Sequence, residues 1–331
     1  MWAIQIAELS GPDAASLKNL SEPTLRHELA PGAGVLIDVR AAAVSFPDVL
    51  QSRGLYQVKP DLPFVPGAEV AGIVLDAPAG SDLSRGDRVT AFTVRGGWAE
   101  RAVAPPMLTF PLPEQLSFAE GAGLVLNYHT AYFALAVRSR LKANETVLVH
   151  GAGGGVGTAS LQVAKALGAT AIAVVSSAEK HRVAQNAGAD LVLRSQDAWR
   201  EAVRAFQQSG VDVVLDPVGG SRVLDSLRAL REGGRLAVVG FASGSIPEVK
   251  INRLLLNNIE VVGVGWGSYA FEKPDLCREI GERLDGMIRA GAVRPIVGAT
   301  FPLALAGDAM RLIETRQAVG KVVLEIDGRG S

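Results

Sequence analysis

The sequence predicts an α/β protein with two modules, one rich in β-strands and one built on a parallel sheet covered by helices. Its length of 331 residues is more than one hydrophobic core usually serves, so we expect two domains. The pattern along the chain also changes, from short strands and turns to strands that alternate with amphipathic helices. A glycine-rich turn at residues 151–157 then separates one such strand from the helix that follows it.

Up to about residue 115 the chain has short apolar or alternating runs separated by turns, which predicts a compact β-rich module. The pattern changes at Ser117, because a serine followed three residues later by Glu120 is a capping box. We expect a helix from there to about Arg138 that joins the two modules. The predicted strands of this first module are residues 35–41, 70–75 and 86–92.

From Thr146 onward, apolar strands alternate with amphipathic helices. This alternation predicts a parallel sheet with helices on both faces, the doubly wound Rossmann-type arrangement. The last segment is too short for a further domain, so we expect it to return to the first module. The predicted strands are 146–150, 171–175, 191–193, 211–215, 235–239, 259–264 and 321–326, and the later predicted helices are 198–207, 221–230, 273–290 and 304–315.

The composition excludes several classes of function. Thirty-three lysines and arginines balance 34 acidic residues, so no overall field attracts nucleic acid or an anionic membrane. The single cysteine, Cys277, permits no intrachain disulfide, and the four histidines have no metal-ligand spacing. The N-terminus has no signal-peptide pattern, and no apolar run approaches the roughly 20 residues that cross a bilayer. We expect a cytoplasmic protein that binds neither metal, membrane nor nucleic acid.

The glycine-rich turn indicates a dinucleotide site. It follows a strand ending at His150 and opens a helix, so that backbone amides and the helix dipole meet a pyrophosphate. In the GxGxxG register the positions are Ala152, Gly154 and Gly157, so the first glycine is replaced. Gly155 and Val156 lie between the last two. A purely structural turn is the alternative, and the order of strand, turn and helix favours the dinucleotide.

The end of the second strand of this module distinguishes NAD from NADP. A carboxylate there would bind the ribose 2′-hydroxyl, but this chain has Ser176 and Ser177, followed by Lys180. Hydroxyls and a cation suit a 2′-phosphate, and we therefore expect NADPH. The alternative is structural: Ser176 and Glu179 form a second capping box, and Lys180 is merely solvated.

Several motifs together resemble the medium-chain dehydrogenase/reductase superfamily, and within it the quinone oxidoreductase (zeta-crystallin-like) branch. The resemblance spans nearly the whole chain. It implies a GroES-like catalytic domain over residues 1–126 and 265–331, with a Rossmann NADP-binding domain inserted at 127–264, and usually a homodimer. The motifs are residues 44–48 (VSFPD), 53–56 (RGLY), 63–72 (PFVPGAEVAG), 86–89 (GDRV), 127–132 (NYHTAY), the glycine turn and 320–324 (GKVVL).

The sequence departs from the zinc-dependent relatives at the positions of their metal ligands. Those relatives have a cysteine where this chain has Ser45, a histidine at Ala68 and a second cysteine near Leu126. The resemblance therefore implies an enzyme without zinc, because alanine cannot bind a metal and serine alone is a poor zinc ligand. Glu69 remains, either as a ligand or as a structural carboxylate bonded to backbone or to a cation. Quinone oxidoreductases often carry asparagine at the position of Ser45.

The resemblance also implies roles for individual residues. Thr130 would lie behind the nicotinamide, and Tyr56 and Ser45 would face the substrate, Tyr56 as a hydrogen-bond donor to its carbonyl oxygen. Thr130 as a helix-packing residue, Trp266 as a core aromatic and Tyr56 as a loop anchor are the alternatives. The catalytic residues implied are Tyr56, Ser45 and Thr130, and the cofactor-binding residues are Asn127, Thr130, Gly154, Gly155, Val156, Gly157, Ser176, Ser177, Lys180, Gly240, Phe241, Val264, Gly265, Trp266 and Lys321.

The expected reaction is hydride transfer from NADPH, without a metal, to a small quinone or an alkene conjugated with a carbonyl. Solvent can deliver the proton, and His129, on a packed helix, is expected to be structural rather than an acid. An enoyl-thioester reductase and a non-enzymatic NADPH-binding protein remain alternatives. We also expect a homodimer, because the strand at 259–264 would leave an apolar, unpaired sheet edge.

Overall fold

The computed structural model describes residues 1–27 and 30–326, with the side chains of residues 30–33 set aside. The chain forms two compact units. Unit 1 contains Met1–Leu126, Ala270–Asp285 and the chain from Pro295 onward, and unit 2 contains Asn127–Tyr269 and Gly286–Arg294. Within the described residues, no helix is both long enough and apolar enough to cross a membrane.

Strands predominate in the first third of the described residues, and strands and helices alternate after it. The strands are β1 (Trp2–Ile6), β2 (Ala15–Asn19), β3 (Arg26–His27), β4 (Ala30–Ala33), β5 (Val35–Val44), β6 (Glu69–Asp76), β7 (Arg88–Phe92), β8 (Arg101–Ala104), β9 (Thr109–Pro111), β10 (Thr146–His150), β11 (Thr170–Val175), β12 (Leu191–Arg194), β13 (Val211–Asp216), β14 (Leu230–Val238), β15 (Glu260–Gly263), β16 (Val297–Pro302) and β17 (Lys321–Glu325). The helices are α1 (Phe46–Ser52), α2 (Phe118–Gly121), α3 (Thr130–Tyr132), α4 (Gly155–Ala166), α5 (Ala178–Asn186), α6 (Trp199–Phe206), α7 (Val223–Ala229), α8 (Asn252–Asn257), α9 (Trp266–Glu272), α10 (Pro274–Arg289) and α11 (Ala306–Glu314).

Unit 1 is built on a sheet in the order β16-β17-β5-β6-β7-β9, with β8 also paired to β5. Strand β17 runs antiparallel to β5, with Val322 opposite Val44 and Leu324 opposite Ala42. The late segment of the chain is therefore paired directly with one of its early strands. Small and β-branched side chains of these strands pack into one apolar core around Trp98, which is fully buried and donates its indole N–H to Ala43 O at 2.9 Å.

Unit 2 contains a six-stranded sheet in the order β12-β11-β10-β13-β14-β15, and every pair in it is parallel. This confirms the predicted Rossmann-type sheet. The central strands β10 and β13 are buried along their whole length, which explains why their sequences are apolar without alternation. Strand β15 lies at one edge of this sheet.

The helix predicted to run from residue 117 to 138 differs from the structure. Its beginning is confirmed, because Ser117 Oγ accepts from the Glu120 N–H at 3.2 Å and Glu120 Oε2 accepts from the Ser117 N–H at 2.7 Å. However, α2 ends at Gly121, and Val125–His129 and Phe133–Arg138 are turns of π-helix on either side of α3. Apolar periodicity predicts a helical segment here but does not distinguish the wider π turn from an α turn.

Candidate functional site

The glycine-rich turn of unit 2 connects β10 to the N-terminus of α4. A side chain at two of its glycines would collide with neighbouring atoms. A Cβ on Gly157 would lie 2.3 Å from Gly151 O, and a Cβ on Gly155 would lie 2.4 Å from Asn127 Nδ2. Glycine is thus favoured by close backbone at Gly157 and by the Asn127 side chain at Gly155, and not by a positive φ at either position. The space and the exposed amides at the start of a twelve-residue helix fit a pyrophosphate.

The other predicted cofactor residues of unit 2 also lie beyond the carboxyl ends of the parallel strands. Ser176 and Ser177 follow β11, Gly240 and Phe241 follow β14, and the segment 264–266 follows β15. Because all six strands are parallel, their carboxyl ends share one edge, which is where open α/β sheets bind nucleotides. The structure therefore places Val264, Gly265 and Trp266 beyond the same carboxyl ends of the strands as the earlier residues.

The turn before α5 corrects one part of the sequence interpretation. Ser177, not Ser176, caps this helix: its side chain accepts from the Lys180 N–H at 3.2 Å. The predicted capping box of Ser176 and Glu179 is wrong because α5 starts one residue later than that box requires. The hydroxyl of Ser176 is therefore not used by the cap. The methylenes of Lys180 lie over the glycine turn, since a Cβ on Gly153 would be 2.6 Å from Lys180 Cβ.

The sequence reasoning missed Arg194, the last residue of β12. Arg194 pairs with Val175 in the sheet and its Nη2 donates to Ser176 O at a long 3.4 Å. Its Nε is buried and has no hydrogen-bond acceptor within the described residues. A second cation thus lies beside Ser176. In the sequence, Arg194 directly follows the predicted strand 191–193, which places it at the carboxyl end of that strand. Its position next to Ser176 depends on the pairing of β12 with β11.

Two predicted site residues, Asn127 and Thr130, lie in the segment that opens unit 2, together with His129. Asn127 and Thr130 are both buried, and the amide of Asn127 faces Gly155. His129 is buried with its ring edge against Trp266, at 5.3 Å between ring centroids. Burial lowers the pKa of His129 to about 3. The imidazole is therefore neutral near pH 7, which supports the structural interpretation of this histidine over a general acid.

Unit 1 contains a buried polar cluster of Ser45, Glu69 and Lys321. Ser45 directly follows β5, whereas Glu69 and Lys321 are the first residues of β6 and β17, the strands on either side of β5. The Lys321 ammonium donates to Ser45 Oγ at 2.8 Å and to Glu69 Oε2 at 3.0 Å, and Glu69 Oε1 accepts from the Leu126 N–H at 2.8 Å. Glu69 is thus a carboxylate bonded to backbone and to a cation.

A second buried carboxylate, Asp48, lies against this cluster. It accepts from the Ser45 N–H at 2.7 Å and from the Gly67 N–H at 3.3 Å. Burial raises the pKa of Asp48 to about 6, although these hydrogen bonds and the charge of Lys321 act in the opposite direction. Burial also raises the pKa of Glu69 above its usual value, opposed by the same ammonium. Lys321 is therefore the positive charge that offsets two buried acids.

The residues of this cluster do not fit a zinc ion. Ala68 has no donor atom, and the oxygen atoms of Ser45 and Glu69 already bind an ammonium. Among residues 1–27 and 30–326, no group of three or more histidine, cysteine, aspartate or glutamate side chains could hold a metal. Tyr56 lies partly buried on the loop after α1.

Comparison with known proteins agrees with these two units. The alcohol dehydrogenase GroES-like domain model matches residues 31–114, and the zinc-binding dehydrogenase model matches residues 155–280. Rat quinone oxidoreductase-like protein 2 is 37% identical over 321 residues, covering 95% of this chain and 92% of that protein. Rat quinone oxidoreductase is 34% identical over 331 residues, covering 98% and 97%.

The structural comparison adds a cofactor. The native structure of mycobacterial Rv1454c complexed with NADPH is 34% identical, with a TM-score of 0.89, and the match covers 98% of this chain and 99% of that one. Fold and glycine cradle thus define a dinucleotide-dependent oxidoreductase with a GroES-like and a Rossmann-type unit. The chain belongs to the medium-chain dehydrogenase/reductase superfamily, in its quinone oxidoreductase-like family. The predicted cofactor, NADPH, is confirmed by the comparison.

Two glycine substitutions should separate cofactor binding from folding. A Cβ on Gly154 would meet only Gly151 O at 3.6 Å, an ordinary contact, so Gly154→Ala should fold normally. Its methyl group would stand where the backbone approaches the pyrophosphate, and we expect NADPH affinity to fall by roughly ten-fold or more, that is by ~1.4 kcal/mol.

Gly157→Ala should instead lower the free energy of unfolding by about 1–3 kcal/mol, because its methyl group would collide with Gly151 O. Calorimetric titration and thermal unfolding of both variants check this, and unchanged NADPH affinity in Gly154→Ala would contradict it.

Proposed function

We propose that this protein reduces small quinones, or alkenes conjugated with a carbonyl, with NADPH and without zinc. The observation that carries the proposal is the Lys321 ammonium, which bonds to Glu69 and to Ser45, the residue at the position of a zinc-ligand cysteine in zinc-dependent relatives. A reductase without a Lewis acid needs an acceptor that is already electrophilic, and quinones and enones meet this requirement. The names of the quinone oxidoreductase relatives support the same substrate class.

The residues divide into two sets in this proposal. NADPH, when bound, supplies a hydride. The glycine turn would hold its pyrophosphate, Asn127 and Thr130 would border the nicotinamide, and the backbone at residues 240–241 and 264–266 would contact the carboxamide. Tyr56 and Ser45 would bind the acceptor, as the resemblance implies; Ser45 directly follows β5, and Tyr56 lies partly buried on the loop after α1. The assignment of Lys321 to the cofactor, which the resemblance implies, also stays a prediction.

An acceptor panel tests the proposed activity. Chelator-washed protein should oxidise NADPH with 1,4-benzoquinone, naphthoquinones or simple enones, because no step requires a metal. Simple alcohols should be inert as substrates with NADP⁺, and added zinc should not change the rate. The measurement is NADPH absorbance across quinones, enones and enoyl-CoA thioesters. Turnover of enoyl-CoA alone would identify the chain as an enoyl-thioester reductase, and efficient zinc-dependent alcohol oxidation would refute the proposal.

We propose that Ser176, Lys180 and Arg194 bind the 2′-phosphate of NADPH. Lys180→Ala and Arg194→Met should each weaken NADPH binding roughly ten- to hundred-fold, the equivalent of ~1.5–3 kcal/mol for a charge-assisted hydrogen bond, and should barely affect NADH. Ser176→Asp should weaken NADPH more strongly, because it places a carboxylate against the phosphate and offers the NADH ribose an acceptor. Helix α5 should still form in Ser176→Asp, because its N-cap is Ser177 and not Ser176.

Binding titrations of NADPH and NADH against the three variants decide this proposal. Arg182→Ala is the matched control, an exposed cation on the same helix as Lys180, and it should leave both affinities unchanged. Equal losses for the two cofactors in Lys180→Ala and Arg194→Met would mean that these cations only support the fold.

We also propose a homodimer formed through the β15 edge of unit 2. Val261 of this edge strand is 43% exposed, and the neighbouring chain exposes Ile251, Leu255 and Leu256 by more than 70% each. An apolar, exposed strand edge invites pairing with its symmetry mate. Light scattering should give twice the monomer mass of 34.6 kDa. Val261→Lys should shift the protein towards the monomer while keeping NADPH binding, and a wild-type monomer at micromolar concentration would refute the proposal.

A further inference from the structure

The cluster of Ser45, Glu69 and Lys321 contains an unused hydrogen-bond donor. The ammonium of Lys321 has three hydrogens and no acceptor site, so in its bond with Ser45 the serine oxygen must accept. The hydroxyl hydrogen of Ser45 therefore points to some other atom. Within the described residues no bond donated by this hydroxyl is found, and Ser45 is buried, with 8% of its surface exposed.

A buried donor without an acceptor is costly, and a ligand oxygen would remove that cost. The ammonium behind the serine also polarises its O–H bond, which strengthens the hydrogen bond that Ser45 can donate. Both oxygens of Glu69 already accept a hydrogen bond, Oε2 from Lys321 and Oε1 from the Leu126 N–H. The cluster thus presents a donor whose direction is set by a buried cation.

We infer that Ser45 is a catalytic hydrogen-bond donor to the carbonyl oxygen of the acceptor, and that Lys321 is the positioning residue that orients and polarises its hydroxyl. This rests on the proposed reduction of quinones or enones. When such an acceptor is reduced, negative charge develops on its oxygen, and a preorganised donor stabilises that charge. The serine and the ammonium together do this without a metal. No bond to Ser45 is made or broken, and water supplies the proton to the product.

Removing the donor gives the first test. Ser45→Ala should lower kcat for 1,4-naphthoquinone by roughly 10²–10³-fold, the loss typical of one oxyanion-binding donor. The fold should tolerate this change at the cost of one half of the α1 capping box, because the Ser45 backbone N–H still donates to Asp48 and the Asp48 N–H still donates to Ser45 O at 3.1 Å. Ser52→Ala is the matched control: it removes a buried hydroxyl of α1 whose hydrogen bond stays inside that helix, to Val49 O, and kcat should be unchanged.

The role of Lys321 needs a variant that keeps the charge balance. The double variant Lys321→Met with Glu69→Gln removes both charges and retains an oxygen for the Leu126 N–H. We expect kcat to fall about ten-fold. In a Ser45→Ala background the same pair of changes should not lower kcat any further, because Lys321 acts through the serine. Equal losses with and without Ser45 would overturn the positioning role.

The second test does not depend on turnover. Naphthoquinone labelled with ¹³C at its carbonyl carbons is bound to the protein with NADP⁺, and the infrared difference spectrum reports the carbonyl stretch. Wild type and Ser52→Ala should both shift one carbonyl band to lower frequency, Ser45→Ala should return it towards the free value, and the Lys321/Glu69 double variant should give an intermediate position. An unshifted band in wild type, a shift that persists in Ser45→Ala, or no bound quinone at all would overturn the inference.

The two measurements also separate this inference from the proposed function. A Ser45-dependent shift of the carbonyl band, found together with no NADPH consumption by any quinone or enone, would refute the proposed function and leave the hydrogen bond supported. Conversely, rapid naphthoquinone reduction that is unchanged in Ser45→Ala would keep the function and overturn the role of Ser45.

Discussion

The buried ion pair between Lys321 and Glu69 constrains unit 1 more than any other interaction. Burying one ion costs several kcal/mol unless a partner compensates it, so the two residues must meet for this unit to be stable. They meet only if β17 lies beside β5 in the observed register, because a shift by one residue would turn Lys321 to the opposite face of the sheet. The pairing of distant parts of the chain and the geometry at Ser45 are therefore set by a single requirement.

Unit 2 constructs its site in a different way, from backbone more than from side chains. The close approach at Gly157 brings α4 against the glycine turn. Because the six strands are parallel, the loops that follow them all lie at the carboxyl ends of the sheet. The side chains of the proposed 2′-phosphate site add to this backbone framework: Lys180 lies over the glycine turn and Arg194 beside Ser176. Unit 2 thus carries a dinucleotide site built mainly from backbone, and unit 1 carries a buried cluster built from a few titratable side chains.

Sequence reasoning succeeded where a local pattern was decisive. The strands of unit 2 were predicted because buried parallel strands are continuously apolar, and the glycine turn because its neighbours were a strand and a helix. It failed at the Ser176 cap, where an error of one residue in the helix start changes which serine bonds to Lys180. It also could not reveal that Lys321 bonds to Ser45, 276 positions away, or that Arg194 lies beside Ser176, because both depend on strand order.

The position of β17 in the chain also affects how the protein is made. Strands β5 and β6 are synthesised early, but β17 leaves the ribosome only after all strands of the Rossmann-type sheet. During that interval residues 41–44 of β5 lack the neighbour they have in the finished sheet, and Glu69 lacks its cation. Domains generally fold in the order of synthesis, and unpaired apolar strands promote aggregation. The nascent chain therefore carries an incomplete GroES-like sheet during the synthesis of the nucleotide-binding sheet.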